Sequence, residues 1–303
     1  MENRNWLYRL SFIINKLRVS NHSTFNELND YIQWRFECKN IKTDGKISKR
    51  QFQRNVNEIR ELFHVDIKCD KSNRYYISSD DQHKESPINM RMQEALDLIN
   101  VLDTDKHLLS CMLFEDRCKL GTQYIYGFLH AIKNNLVIKF YHQAHFHKEA
   151  IEREVEPYAL KEFKGRWYVL AKDSCDSRLK TFALDRITDI ELTKKKYTVP
   201  QGFNPQKYFE NCYGVSITDN ASVETVVLSF DSVQGNYIRT YPIHESQKEL
   251  ENSEGEYRIS LDVYINHELI MEILSYGESV EVMQPTHLAE TIKSTLLNTV
   301  KYY

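Results

Sequence analysis

The stretch GRWYVLA, residues 165–171, followed shortly by KTFALDRITDI, residues 180–190, decides how this chain is read. Side chains alternate along a strand, so Trp167, Val169 and Ala171 point one way and Tyr168 and Leu170 the other. Both faces are apolar, as expected where one lines a barrel core and the other meets a partner or a pocket. Trp167 is expected mainly in the core, since large strand aromatics usually pack. The same period of two extends outward. LVIKFYH (136–142) and AIEREVEPYAL (150–160) read as paired strands around the tip QAHFHKE (143–149). RWYVLAK, KTFALD and DIELTKK add three more. Five short strands in so little chain predict a small closed barrel of the Sm or SH3 kind.

Upstream of the barrel the period changes to that of helices. Trp6, Leu10, Ile13, Ile14 and Leu17 recur at spacings of three and four, which predicts an amphipathic helix over 6–18. A second helix carries Phe25, Leu28, Tyr31 and Ile32, with Thr24 and Glu27 spaced as a capping box. Asp44-Gly45 marks a turn. A third helix over 48–63 buries Phe52, Val56, Ile59 and Leu62, with Ser48 and Gln51 as a second capping box. Its other face gathers Lys49, Gln53 and Asn57, with Arg50 and Arg54 beside them. Arg and Lys suit phosphates or guanine, and Gln and Asn suit adenine. A hairpin follows, with Lys71, Asn73 and Arg74 at its tip. Three helices and a basic hairpin predict a winged helix-turn-helix over residues 1–80, with Ser48, Lys49, Arg50, Gln53, Arg54, Asn57, Lys71, Asn73 and Arg74 facing duplex DNA.

Charge supports that placement. The chain is nearly neutral, at −3, but residues 1–80 carry a net +5, the middle balances, and residues 223–303 carry −8. One end suits an anion and the other does not. Between 81 and 133 the pattern predicts a helical linker, opened by a polar stretch holding Pro87. Residues 201–222 read as a second linker. From 223 the order strand, helix, strand, strand, helix, strand, helix contains the βαββαβ of a ferredoxin-like domain. The whole is expected to be an α+β multidomain protein.

The segments ER-V-EPYAL, GRWYVLA and TFALDRITDIELT together resemble the WYL domain, named for its Trp-Tyr-Leu triplet, over about residues 134–200. The third member of the triplet is Val169 here, and Ala183 stands before LDRI where the family often has Arg, which removes one anion contact. SKRQFQRNVNEI resembles the recognition helix fused to such domains, and LSYGESVEVMQPTHLAETI resembles the companion WCX domain. The resemblance implies a bacterial transcription regulator whose WYL domain senses a nucleotide or nucleic-acid-like effector. Carried onto this sequence, it implies that Arg153 and Arg186 suit a phosphate. Tyr141, Tyr158 and Tyr168 suit base stacking or hydroxyl hydrogen bonds. For Arg186, ligand contact and a structural ion pair both stand. Asp185 either orients Arg186 or caps a turn. The WCX resemblance implies a dimer arm or ligand gate.

Other classes find less support. No G-x-S-x-G, Walker loop, G-x-G-x-x-G or H-E-x-x-H occurs, so no enzyme is expected. His142, His145 and His147 sit at a hairpin tip with no Cys or carboxylate triad, so no metal is expected. No cofactor is expected either. The six cysteines form no C-x-x-C, which fits a reducing compartment. The first residues lack the apolar core of a signal peptide, and no run of eighteen apolar residues occurs, so no membrane is expected. The expectation is a cytoplasmic, homodimeric, ligand-responsive DNA-binding regulator. A single-strand RNA- or DNA-binding adaptor using the barrel is the alternative.

Overall fold

A computed structural model describes residues 2–20, 22–38, 46–78, 121–144, 149–218 and 221–303, with six isolated positions between 91 and 113. The helices expected over 89–102 and in KHLLSCMLFED lie outside these, isolated positions aside, as do the loop 39–45 and its Asp44-Gly45 turn. The chain divides into two compact units, residues 1–116 and 117–303. No helix among the described residues is long and apolar enough to cross a membrane.

In the first unit, α1 (Glu2–Ser20), α2 (Phe25–Cys38) and α3 (Lys49–Phe63) surround one core. Leu10, Ile13, Ile14 and Leu17 of α1 meet Leu28, Ile32 and Phe36 of α2 and Phe52, Val56 and Ile59 of α3, all buried. Each set recurs at helical spacing, so one stripe per helix is removed from water. Leu62, expected in this core, is 41% exposed, and Phe63 is buried instead. Phe63 belongs with Val65 and Ile67, which close the core under the hairpin. Thr24 and Glu27 form the expected capping box: the Thr24 N–H donates to Glu27 Oε2 at 2.7 Å and the Glu27 N–H to Thr24 Oγ1 at 3.3 Å. At α3 only half of the box exists. The Gln51 N–H donates to Ser48 Oγ at 3.1 Å, but the Gln51 side chain donates to Asn55 Oδ1. Strands β2 (Ile67–Cys69) and β3 (Arg74–Ile77) pair antiparallel, and β3 also pairs with the two-residue β1 (Ser23–Thr24). That third strand ties the hairpin to the start of α2.

In the second unit, α4 (Ile125–Asn134) leads into β4 (Leu136–His142), β5 (Ile151–Phe163), β6 (Arg166–Asp173), β7 (Leu179–Ala183) and β8 (Ile187–Lys196). The five strands form an antiparallel sheet in the order β7-β6-β5-β4-β8. Its inner face buries Ile138, Phe140, Val155, Val169, Ala171 and Phe182, with Trp167 half-buried beside them. Helix α4, which the sequence placed in a linker, puts Phe128 and Ala131 into that same core. Gly121, at φ 69°, lets the turn before α4 lie against the backbone of Leu184 and Asp185; a Cβ there would come within 2.3 Å of the Leu184 carbonyl carbon. The outer face is apolar too. A bulge in β5 between Pro157 and Ala159 turns Tyr158 into a second cluster with Val137 and Tyr197.

A short helix α5 (Pro205–Phe209) precedes β9 (Val223–Phe230), α6 (Ser232–Thr240), β10 (Lys248–Ser253), β11 (Glu256–Tyr264), α7 (His267–Ser275), β12 (Val280–Gln284) and α8 (Thr286–Val300). The strands run antiparallel in the order β10-β11-β9-β12. Residues 211–216 strap this layer to the five-stranded sheet. Asn266 caps α7 by accepting from the Leu269 N–H, and its Nδ2 donates to the carbonyls of Tyr213 and Ser216 at 2.8 and 2.9 Å. From the other side, Thr181 Oγ1 donates to the Val215 carbonyl and Lys161 Nζ to the Cys212 carbonyl. Lys164 Nζ reaches Glu272 Oε2 on α7 at 2.6 Å.

Candidate nucleic-acid interface and effector face

The face of α3 opposite the core presents Lys49, Arg50, Gln53, Arg54 and Asn57, all exposed. Ser48 caps the helix, so a positive dipole end lies beside Lys49 and Arg50. Arg54 is partly committed: its Nε lies 3.1 Å from Glu58, whose other oxygen accepts from Trp6 Nε1. The pair is mostly exposed on the Arg54 side, so phosphate can compete for the guanidinium. Lys71, Asn73 and Arg74 stand exposed at the hairpin tip. The tip is closed by its own hydrogen bonds. Asn73 takes a left-handed φ of 58°, which its short polar side chain tolerates. Asp70 accepts from the Ser72 and Arg74 N–H groups, and these bonds, Arg74 first, hold its carboxyl below the ordinary range. Both basic surfaces lie in the first unit. Asn55, buried on the same helix, escapes pattern reading because its polarity masks a core position.

The residues expected to meet the effector do not form one cluster. Tyr168 and Arg186 are brought together on the outer side of β6. Burial pushes the Tyr168 hydroxyl up, while the nearby charges of Arg166 and Arg186 pull it down. Arg166 also pairs with Asp185 at 3.6 Å, and the Arg186 Nε is buried with no hydrogen-bond partner among the described residues. Arg153 sits elsewhere, across from Phe140 on the core side of β5. It binds the buried Asp173 at 3.1 Å, and Lys180 reaches the same oxygen at 2.8 Å. Tyr158 is buried, its hydroxyl donating to Glu156 and its ring against Tyr197 and Phe203. Tyr141 is exposed, beside Glu152 and Thr188. His142 packs edge-on against Phe182; His145 and His147 lie outside the described residues.

Three further side chains of this face escape the sequence reading. Arg166 shares a face with Tyr168 two residues on, a signal that alternation contains. Lys161 lies directly opposite Tyr168 across the β5–β6 hairpin, which register counting from the Lys164-Gly165 turn gives. Glu268, whose charge also acts on Tyr168, comes from α7, and no local pattern announces it.

This five-stranded sheet and the four-stranded layer that follows it coincide with two family models: the WYL domain over residues 124–192 and the WCX domain over residues 222–300. The chain is therefore a protein that carries a WYL domain followed by a WCX domain. It is similar to Protein PafB of Mycobacterium bovis (strain ATCC BAA-935 / AF2122/97) and of Mycobacterium tuberculosis (strain ATCC 25618 / H37Rv), at 25% identity over 181 residues in each case. That alignment covers 58% of this chain and 53% of those proteins, so the chain matches about half the length of its curated relatives. Among solved structures it resembles the proteasome accessory factor B/C (PafBC) of Arthrobacter aurescens, at 20% identity, 95% of this chain, 46% of that chain and a TM-score of 0.37. It also resembles a CRISPR Cas-related protein, at 11% identity, 98% of this chain, 92% of that chain and a TM-score of 0.40.

Proposed function

We propose that this chain is a DNA-binding transcription regulator that works as a homodimer in the cytoplasm and responds to a nucleotide or nucleic-acid-like effector. Its modules are read as a winged helix-turn-helix, an Sm-like barrel and a ferredoxin-like domain. The observation that carries the reading is the exposed row Lys49, Arg50, Gln53, Arg54 and Asn57 on a capped helix, next to a basic hairpin tip, in a chain that also holds WYL and WCX domains. The row has the length and chemistry to enter a major groove, and the tip to reach the flanking phosphates. The effector acts through Tyr168 and Arg186, where a phosphate supplies the acceptor that the Arg186 Nε lacks. It is a reading of a binding protein, not of an enzyme.

The experiment is salt-dependent binding of the full chain to duplex DNA from upstream of its own gene. Affinity is expected to fall by a factor of about a thousand or more between roughly 50 and 200 mM salt, as release of counterions from six or more phosphates requires. Retention of single strands with no duplex binding would instead support the adaptor reading and end this one.

A further inference from the structure

Between the barrel, helix α5 and the turn after α6 lies an open cleft of about 1020 Å³. Part of its wall is apolar: Phe163 and Tyr213, in edge contact at 5.4 Å, with Phe209 and Ile243. Its charges divide by depth. Lys207, Glu210 and Glu245 are exposed at the rim, where solvent and salt screen them. Lys161 is half-buried within. Its ammonium sits 4.2 Å from the Phe209 ring centroid and 3.4 Å from the Cys212 carbonyl, both neutral partners. No carboxylate among the described residues comes within ion-pair distance of it. Burial pulls the Lys161 pKa below its ordinary value, with Cys212, Glu268 and Glu245 opposing. A half-buried cation with no counter-ion is costly, and an anion entering the cleft removes that cost.

His244 supplies a second donor. Its Nδ1 accepts from the Ser246 N–H at 3.1 Å, so the neutral ring carries its proton on Nε2. Burial holds the His244 pKa down, with Glu245 opposing and Lys161 assisting.

We propose that this junction cleft is a ligand site for a planar aromatic molecule bearing one anionic group, a carboxylate or a phosphate monoester, with Lys161 as its counter-ion and the apolar walls holding its ring. The site adjoins Tyr168 through the Lys161–Tyr168 strand pair but does not use Arg186. Binding itself stands independently of the effector reading given above.

The test is calorimetric titration of the full chain with 1-naphthoate, 1-naphthyl phosphate and the uncharged 1-naphthamide. At least one anion is expected to bind about tenfold more tightly than the amide, as a charge-assisted contact allows. Which anion does so identifies the source. In Lys161→Met the preference for the anion should vanish while amide binding persists, which shows that the cleft is still folded. Lys161→Arg and Arg186→Ala should both keep the preference. The proposal is overturned if neither anion outbinds the amide, if the preference survives in Lys161→Met, or if Arg186→Ala removes it. Loss of effector response at DNA, with these binding results intact, would count against the regulator reading alone.

Discussion

Lys49 and Arg54 are both exposed on α3, five residues and so about one and a half turns apart, so each can neutralise its own phosphate. If the duplex reading holds, replacing both with Ala should weaken binding to all sequences alike. The plot of log affinity against log salt should then flatten by about 0.9 for each phosphate left unneutralised; an unchanged slope in the folded double variant would place the DNA elsewhere. Asp173 makes a different kind of residue-scale statement. It is buried, which alone would raise its pKa, yet bonds from Lys180 and the Cys175 N–H and the charge of Arg153 bring it below the ordinary 3.8. A depressed carboxyl pKa contributes stability above the unfolded value and loses it as pH falls through the folded one. Wild type should therefore lose stability on acidification from about pH 5 toward pH 2. Asp173→Asn should start lower at pH 7 and change less over that window, as urea midpoints at each pH would show. At this scale the sequence is informative about chemistry and poor about company. Arg153 looks like an anion receptor because its type and position fit one. Nothing near it in the chain says that Asp173, twenty residues on, already holds it.

At the scale of elements, most of what forms is visible in the sequence, because period and caps are local. Helix α3 starts at a Ser48 cap and ends at His64 in the left-handed region, and both ends fall at the edges of the apolar pattern. Leu62 misleads because a helix of 3.6 residues per turn offers it and Phe63 as near-equal candidates, and only Val65 and Ile67 beyond the helix decide between them. Helix α4 reads as linker since its partner surface, the barrel's inner sheet, lies later in the chain. Asn266 shows how much one cap can hold. It caps α7 and also satisfies two carbonyls of the strap. Asn266→Ala should cost about 2–4 kcal/mol, the loss of a cap plus buried unpaired carbonyls. Thr24→Ala, which loses an exposed cap only, should cost about 1 kcal/mol. Thermal melts of the two variants should rank them in that order; equal costs would mean the strap bonds contribute nothing.

Over the whole molecule, an effector bound at Tyr168 and Arg186 would, on the proposed reading, have to change DNA binding by a helix of the other unit. A coupling of this kind needs two states that effector and DNA favour unequally. Arg186→Ala should therefore leave duplex binding near its wild-type value without effector and blunt the change that effector causes, measured as operator affinity with and without an effector nucleotide. A normal response from a folded Arg186→Ala protein would move the effector away from Tyr168. The amino-acid sequence alone determined most helices and strands among the described residues, the concentration of positive charge on the first eighty residues, and the five alternating strands of the second unit, because each depends on neighbours a few positions apart. Only the tertiary structure decided which charged groups are already spent on one another and which are left over. Arg153 and Lys180 converge on Asp173, whereas Lys161 is held against an aromatic ring and a carbonyl, with no acid among the described residues within ion-pair distance. Whether a charge is paired depends on distance in space, and groups as far apart in the chain as Lys161 and Cys212 come within hydrogen-bond reach only once the sheets and the strap have packed.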